Sequence, residues 1–369
     1  MTALLPEGLR DRLPPQADAA AAMLRAALDA IRAHGYERVA PPLAEYEESL
    51  AGRLKAGTAR DLLRVVDPLS QRTLALRPDI TTQVGRIAAT RLARSPRPLR
   101  LSYGGPVVKL RASQLRPERE MTQIGAELIG RDSAEAAAEI VALAVEALTA
   151  AGATGITVDL TLPDLVDALG TGAMPVPVEQ AADVRALLDA KDAGGLAAAG
   201  ASAYLPLIEA AGPFSPAIAR LRAFDAGGAL DSRLAALETV AARLDGVATV
   251  TLDPTERHGF EYQSWLGFSL FADGLAGEIG RGGAYTILHE DGREEPAIGF
   301  SIYPDPLLDL VTRETPARRI FLPLGHDPAE ARKLRREGWI TVAALDEHCS
   351  PEGCSHSLDR SGPEPVRRS

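Results

Sequence analysis

The chain has 369 residues, 46% hydrophobic and 24% charged, an ordinary globular composition with length for about two to three domains. Forty basic against fifty acidic side chains leave a formal charge of −10, which argues against a general nucleic-acid binder, because neutralising phosphates takes clustered basic charge. Two cysteines cannot build a disulfide framework, and no run approaches the ~20 apolar residues of a membrane span, so a soluble cytoplasmic protein is the expectation.

In chain order, residues 16–34 place Leu24, Ala27, Leu28 and Ile31 at helical spacing and stop at His34-Gly35. Val39 and the Pro41-Pro42 pair predict a strand and a turn. Residues 62–67 and 72–76, joined through Pro68-Leu69-Ser70, predict a hairpin. A helix is expected over 80–93, two strands over 98–111 and 119–129 around an arginine-rich loop, a helix over 134–151 capped by Ser133, and a strand near 156–160. Helical stretches broken by glycine fill about 163–245 and predict an insertion. Strand signals return at 247–252, 261–272 and 297–303, and a β-α-β unit follows over 319–343. Strands interrupted by a block of helices predict an α+β fold on an antiparallel sheet. From residue 346 the chain turns polar and rich in Gly, Ser and Pro, which predicts a disordered tail over 346–369.

The densest polar stretch is GGPVVKLRASQLRPEREMTQIGAELIG, residues 104–130. Gln123 and Glu127 are four apart, so in a strand they share a face. A carboxylate beside an amide can hold and orient an ammonium group. GRGGAY, 280–285, lacks the Lys-Ser/Thr of a phosphate loop, which points to a tight turn or a close backbone approach. Cys349 and Cys354 with His348 and His356 fit no common zinc spacing, and no metal site is expected. Trp265 and Phe268 are expected in the core.

Residues 104–130 resemble motif 2 of class II aminoacyl-tRNA synthetases in the form found in histidyl-tRNA synthetases. LRPDITTQVGR (76–86), HGFEYQ (258–263), GGAYTIL (282–288) and PAIGFSIYPDPL (296–307) resemble further segments of that family in the same order. The resemblance runs from about residue 6 to 345. It implies a class II synthetase-like antiparallel sheet flanked by helices over 1–315, with the helical insertion at about 163–245. Residues 316–345 would be a truncated remnant of a C-terminal α/β domain. Dimerisation would run through about 35–60.

The departures from the family bear on function. Where the family carries three arginines for ATP and the amino-acid carboxylate, this chain has Lys109, His258 and Pro306. The arginine fork binds carboxylate and phosphate through two parallel hydrogen bonds that lysine cannot copy. Loss of one such donor at a developing charge costs about 3–4 kcal/mol, so the resemblance implies no amino-acid activation and no catalytic residue. Arg257 adjoins His258, but a register slip of one would turn it to the other face. Arg111, Arg116 and Arg119 remain as phosphate-facing candidates. The amino-acid side is better kept. Gln123 and Glu127 match positions for the histidine ammonium, with Asp79 and Thr81 near the same group. Tyr262, Tyr285 and His258 lie nearby, and Gln263 stands where the family has a second tyrosine. These residues, Asp79, Thr81, Gln123, Glu127, His258, Tyr262 and Tyr285, form the implied histidine-effector site.

A degraded ATP side, a retained amino-acid side and a short C-terminus resemble the family of ATP phosphoribosyltransferase regulatory subunits. That family implies a short-form catalytic ATP phosphoribosyltransferase as partner, a homodimer within a hetero-oligomer, histidine as effector, no cofactor, and neither tRNA nor membrane contact. The subunit would serve the first step of histidine biosynthesis and its feedback control without making bonds itself. The alternatives are a divergent histidyl-tRNA synthetase and a synthetase-like module that binds tRNA or protein.

Overall fold

The computed structural model describes residues 5–51, 62–111, 118–170, 176–177, 179–257, 263–311, 318–359 and 362–366. The chain divides into two units, Met1–Thr312 and Arg313–Ser369.

The first unit opens with helix α1 (Gln16–Ala33), whose Met23, Ala27, Leu28 and Ile31 are buried at the predicted spacing. Strands β1 (Glu37–Arg38) and β2 (Ala44–Tyr46), helix α2 (Glu47–Ala51) and the hairpin β3 (Leu63–Val66) with β4 (Thr73–Leu76) follow. Asp67 builds the hairpin turn by accepting hydrogen bonds from Leu69 N at 3.1 Å and the Ser70 hydroxyl at 2.6 Å. β2, β4 and β3 form a small sheet of their own. Next come α3 (Thr81–Ala89), β5 (Leu99–Val108), β6 (Glu120–Ile129), α4 (Ala134–Ala150) and β7 (Thr157–Thr161). Helices α5 (Leu165–Gly170), α6 (Ala181–Asp189), α7 (Ala193–Ala198), α8 (Leu205–Glu209), α9 (Phe214–Phe224) and α10 (Asp231–Arg243), with β8 (Gly212–Pro213) among them, lead to β9 (Thr249–Leu252). Strands β10 (Gln263–Phe271), β11 (Gly280–Leu288) and β12 (Glu294–Ile302) and helix α11 (Leu308–Val311) complete the unit.

These strands build a nine-stranded sheet in the order β1-β5-β6-β12-β11-β10-β7-β9-β8. The stretch from β5 to β7 is antiparallel throughout, as expected. The flanks differ, because β1 runs parallel to β5 and β9 parallel to β7. Parallel neighbours need a crossover connection, and the helical block expected at 163–245 supplies it between β7 and β9. GRGGAY is not a turn: it opens β11. The close approach expected there does hold, since a Cβ on Gly282 would collide with Gly299 O and the Phe268 ring.

Each face of the sheet has its own core. The alanine-rich α4, capped by Ser133 accepting from Ala136 N, packs with α1 and α10 over Ile124, Leu160, Phe268 and Phe300. Alanine combines high helix propensity with a small side chain, so α4 is buried along most of its length. On the other face α3 contributes Val84 and Ala88 to a smaller core with Leu101, Tyr103, Tyr285 and Ala297. Trp265 packs only partly buried against the first core, and Phe268 is fully buried there.

The second unit holds the predicted β-α-β: β13 (Arg319–Leu322), α12 (Pro328–Arg336) and β14 (Ile340–Ala343). Asp327 caps α12 through Ala329 N at 2.8 Å, and Lys333, Arg335 and Arg336 occupy its last turn, where cations complement the helix dipole. The tail departs from expectation. Instead of disorder it forms β15 (His356–Asp359), parallel to β13, and β16 (Gly362–Pro365), antiparallel to β15. Its polar composition conceals this because backbone pairing carries the order, helped by His356 set edge-on against Trp339 at 4.7 Å and by Leu358 packed on the unit's core.

Candidate functional site

Four neighbouring strands present one face of the large sheet toward α3. Alternation puts Tyr103 on β5, Gln123, Gly125 and Glu127 on β6, Gly299 and Ser301 on β12, and Arg281, Gly283 and Tyr285 on β11 on that face, paired in register across the strands. Gly283, Gly299 and Glu127 stand abreast. The two glycines keep the floor low: a Cβ on Gly299 would fall on the Glu127 carboxylate, and one on Gly283 on the Gln263 amide. The resulting pocket holds about 340 Å³ of space, partly open to solvent, and its lining includes Asp79, Thr81, Glu127, Tyr285 and Arg281.

Asp79 enters from the loop before α3, and Thr81 is the first residue of that helix. Asp79 Oδ1 accepts from Thr82 N at 3.3 Å, and Asp79 Oδ2 accepts from the Gln123 amide at 2.7 Å. The same amide donates to Ser301 Oγ at 2.7 Å, and Gln123 Oε1 accepts from Ile80 N at 2.8 Å. Gln123 therefore holds Asp79 in place. Glu127, 1% exposed, accepts from the Tyr103 hydroxyl at 2.9 Å on one oxygen and from the Tyr285 hydroxyl at 2.8 Å on the other. The Tyr103 hydroxyl also meets Thr81 Oγ1 at 2.9 Å and Ser301 Oγ at 3.0 Å.

Burial pushes Glu127 up to about 8 against the pull of its two tyrosine hydrogen bonds, with the Asp79 charge adding to the rise. Burial raises Asp79 as well, opposed mainly by Gln123, and holds the Tyr103 phenol well above its ordinary value. The hydrogen-bond partners of both carboxylates are neutral. Arg77 is buried nearby but sends its donors to Pro106 O at 2.8 Å and Pro41 O at 2.9 Å. A buried and a half-buried carboxylate among neutral partners favour a cation, which would repay their desolvation.

Asp79, Thr81, Gln123, Glu127 and Tyr285 are thus brought together. His258 and Tyr262 lie outside the described residues. Lys109 is exposed just beyond β5, its ammonium 5.8 Å from the Tyr303 ring, and Pro306 is exposed in a short turn, Asp305–Leu307. Arg119 closes its hairpin: Lys109 N donates to Arg119 O at 2.8 Å, and Arg119 Nε donates to Lys109 O at 3.1 Å. Sequence reasoning missed Tyr103, Ser301 and Arg281. Their period-2 spacing within β5, β12 and β11 is a signal, but only cross-strand register shows that they converge.

Fold and pocket together define a histidyl-tRNA synthetase-like protein, and the model of the family "Histidyl-tRNA synthetase" matches residues 8–307. A protein of Paramagnetospirillum magneticum named ATP phosphoribosyltransferase regulatory subunit is 44% identical, the match covering 98% of this chain and 97% of that one. One of the same name from Rhodospirillum centenum is 43% identical over 96% and 94% of the two chains. A solved structure from Bacillus halodurans, titled ATP phosphoribosyltransferase regulatory subunit/histidyl-tRNA synthetase, superposes with TM-score 0.78 at 25% identity over 94% of each chain. Within the synthetase-like fold, the chain belongs to the family of ATP phosphoribosyltransferase regulatory subunits.

Proposed function

We propose that this chain binds histidine in the Asp79–Glu127 pocket and acts as the non-catalytic, histidine-sensing subunit of a cytoplasmic hetero-oligomer with a short-form ATP phosphoribosyltransferase. It would support the first step of histidine biosynthesis, joining ATP to phosphoribosyl pyrophosphate, and its feedback control. One observation carries the reading: the buried carboxylate of Glu127, held by Tyr103 and Tyr285, and the half-buried one of Asp79, held by Gln123, line one pocket and suit it to a cationic ligand, while Lys109 and Pro306 stand where a synthetase of this family needs arginines. The ammonium would meet Asp79 at the α3 side, with Glu127 behind it and Tyr285, His258 and Tyr262 about the ring. A homodimer and the absence of tRNA binding go with this reading. Binding can alter the partner only by favouring one arrangement of the assembly over another.

The test is calorimetric titration of histidine into the chain alone and into the complex with the catalytic subunit. Saturable binding that Asp79→Asn and Glu127→Gln each weaken by at least tenfold supports the site. Histidine inhibition of the complex that survives both substitutions would place the effector elsewhere. Histidine-dependent exchange of pyrophosphate with ATP by the pure chain would replace this reading with that of a divergent synthetase.

A further inference from the structure

Helix α6 ends in a way its sequence does not favour. Asp192 N donates to Leu187 O at 2.9 Å and Lys191 N to Leu188 O at 3.0 Å, the paired bonds of a Schellman stop, whose left-handed residue is usually glycine. Here that residue is Lys191, with φ 56°, a conformation that residues with a side chain rarely adopt. The lysine reaches across to the end of β9. Its ammonium donates to Asp253 Oδ1 at 2.7 Å and to Thr255 Oγ1 at 2.5 Å. Asp189, the last residue of α6, accepts from Arg257 N at 2.7 Å through Oδ1. The end of α6 thus grips residues 253–257 twice, once by charge and once at the backbone.

The gripped segment lies against the strands of the pocket. Thr161 Oγ1 on β7 donates to Glu256 O at 2.6 Å. Thr161 is the register partner of Gly267 on β10, and Gly267 is the partner of Gly283 on the pocket floor. Arg257 directly precedes His258. The return through β10 begins at Gln263, which is 8% exposed, stands opposite Tyr285 and sets its amide where a Cβ on Gly283 would fall. Only residues 258–262 separate these two anchored positions in the sequence. Fixing both ends of a short connection lowers the entropy lost when its side chains settle on a ligand.

We propose that Lys191 and Asp189 are positioning residues for the effector pocket: by holding residues 253–257 they preorganise the side that His258 and Tyr262 supply, and so raise the affinity for histidine. This rests on the histidine reading above and adds that the helical block between β7 and β9 sets the affinity of the site. Calorimetry on the full chain with L-histidine, paired with denaturant melts, tests it. Lys191→Gly separates positioning from stability, because glycine suits the left-handed position and offsets what is lost with the tether. It is expected to weaken histidine binding roughly 3- to 10-fold, the worth of a hydrogen bond, with little change in the denaturant midpoint. Asp189→Ala should weaken binding to a similar extent. Lys191→Arg, which keeps the charge and can still donate to both acceptors, should keep most of the affinity. Leu237→Ala, in the buried face of α10, is the control: it should lower the midpoint and leave histidine affinity unmoved. Unchanged affinity in either Lys191→Gly or Asp189→Ala, or a loss in Lys191→Arg as large as in Lys191→Gly, would overturn the assignment while leaving the pocket reading intact. So would a loss of affinity in Leu237→Ala that follows its midpoint, since any destabilisation would then have the same effect. A wild type that binds no histidine removes the pocket reading, and the positioning role with it.

Discussion

Glu127 decides most at the scale of single residues. Its carboxyl is pushed from 4.5 to about 8 in the folded chain, mainly by burial. Between those values the folded state holds a proton that the unfolded state has released. Stability of the unliganded chain should therefore be greatest below pH 4.5, as far as this group goes, and fall as pH rises through about 8, by a few kcal/mol at most. Asp79, raised for the same reason, acts in the same direction. Histidine bound as proposed would favour both ionised carboxylates, so it should flatten the slope and release protons on binding. Denaturant melts at pH 5 and pH 8.5, with and without histidine, check this, and Glu127→Gln should flatten the slope with no ligand present. Gly299→Ala is a second check. Its methyl would fall on the Glu127 carboxylate, so a loss of roughly 1–3 kcal/mol from overpacking and loss of histidine binding are expected.

Elements differ in how far local sequence decides them. α4 is local: Ser133 caps it, and alanine propensity sustains it. Ser133→Ala should cost about 1 kcal/mol, read as a lower denaturant midpoint with an unchanged slope. The hairpin β3–β4 is local too, since Asp67 organises its turn. β11 is not. Three glycines in its first four residues oppose strand propensity, and the strand exists because β10 and β12 pair it on both sides. β15 and β16 arise the same way, as polar segments ordered by an edge of β13. Leu334→Ala in α12 removes a fully buried contact with that sheet and should cost about 2–5 kcal/mol, unfolding the second unit before the first in a protease time course.

At the scale of the whole molecule, the chain keeps a synthetase-like scaffold, and in the proposed reading its pocket serves an amino acid while Lys109 and Pro306 replace the arginines of the phosphate side. The net charge of −10 accords with that loss. If histidine inhibits the assembly, the coupling is reciprocal. Saturating the catalytic partner with its substrates should weaken histidine binding to the complex by the same factor by which histidine weakens substrate binding. Titrations in both directions measure that factor.

The order of helices and strands, the antiparallel centre of the sheet and the grouping of Asp79, Thr81, Gln123, Glu127 and Tyr285 were legible in the amino-acid sequence. Periodicity, caps and segment motifs act over a few residues, and the motif order carried the rest. The parallel flanks, the strand character of the glycine run, the ordered tail and the convergence of Tyr103, Ser301 and Arg281 on one floor were settled by tertiary structure. Tyr103 and Ser301 are 198 residues apart and meet at 3.0 Å only because β5, β6 and β12 pair in a particular register. Register is a property of the assembled sheet: a slip of one residue would turn every one of these side chains to the opposite face. The raised Glu127 is decided there as well, since its protonation depends on water being excluded by chains that the local sequence does not contain.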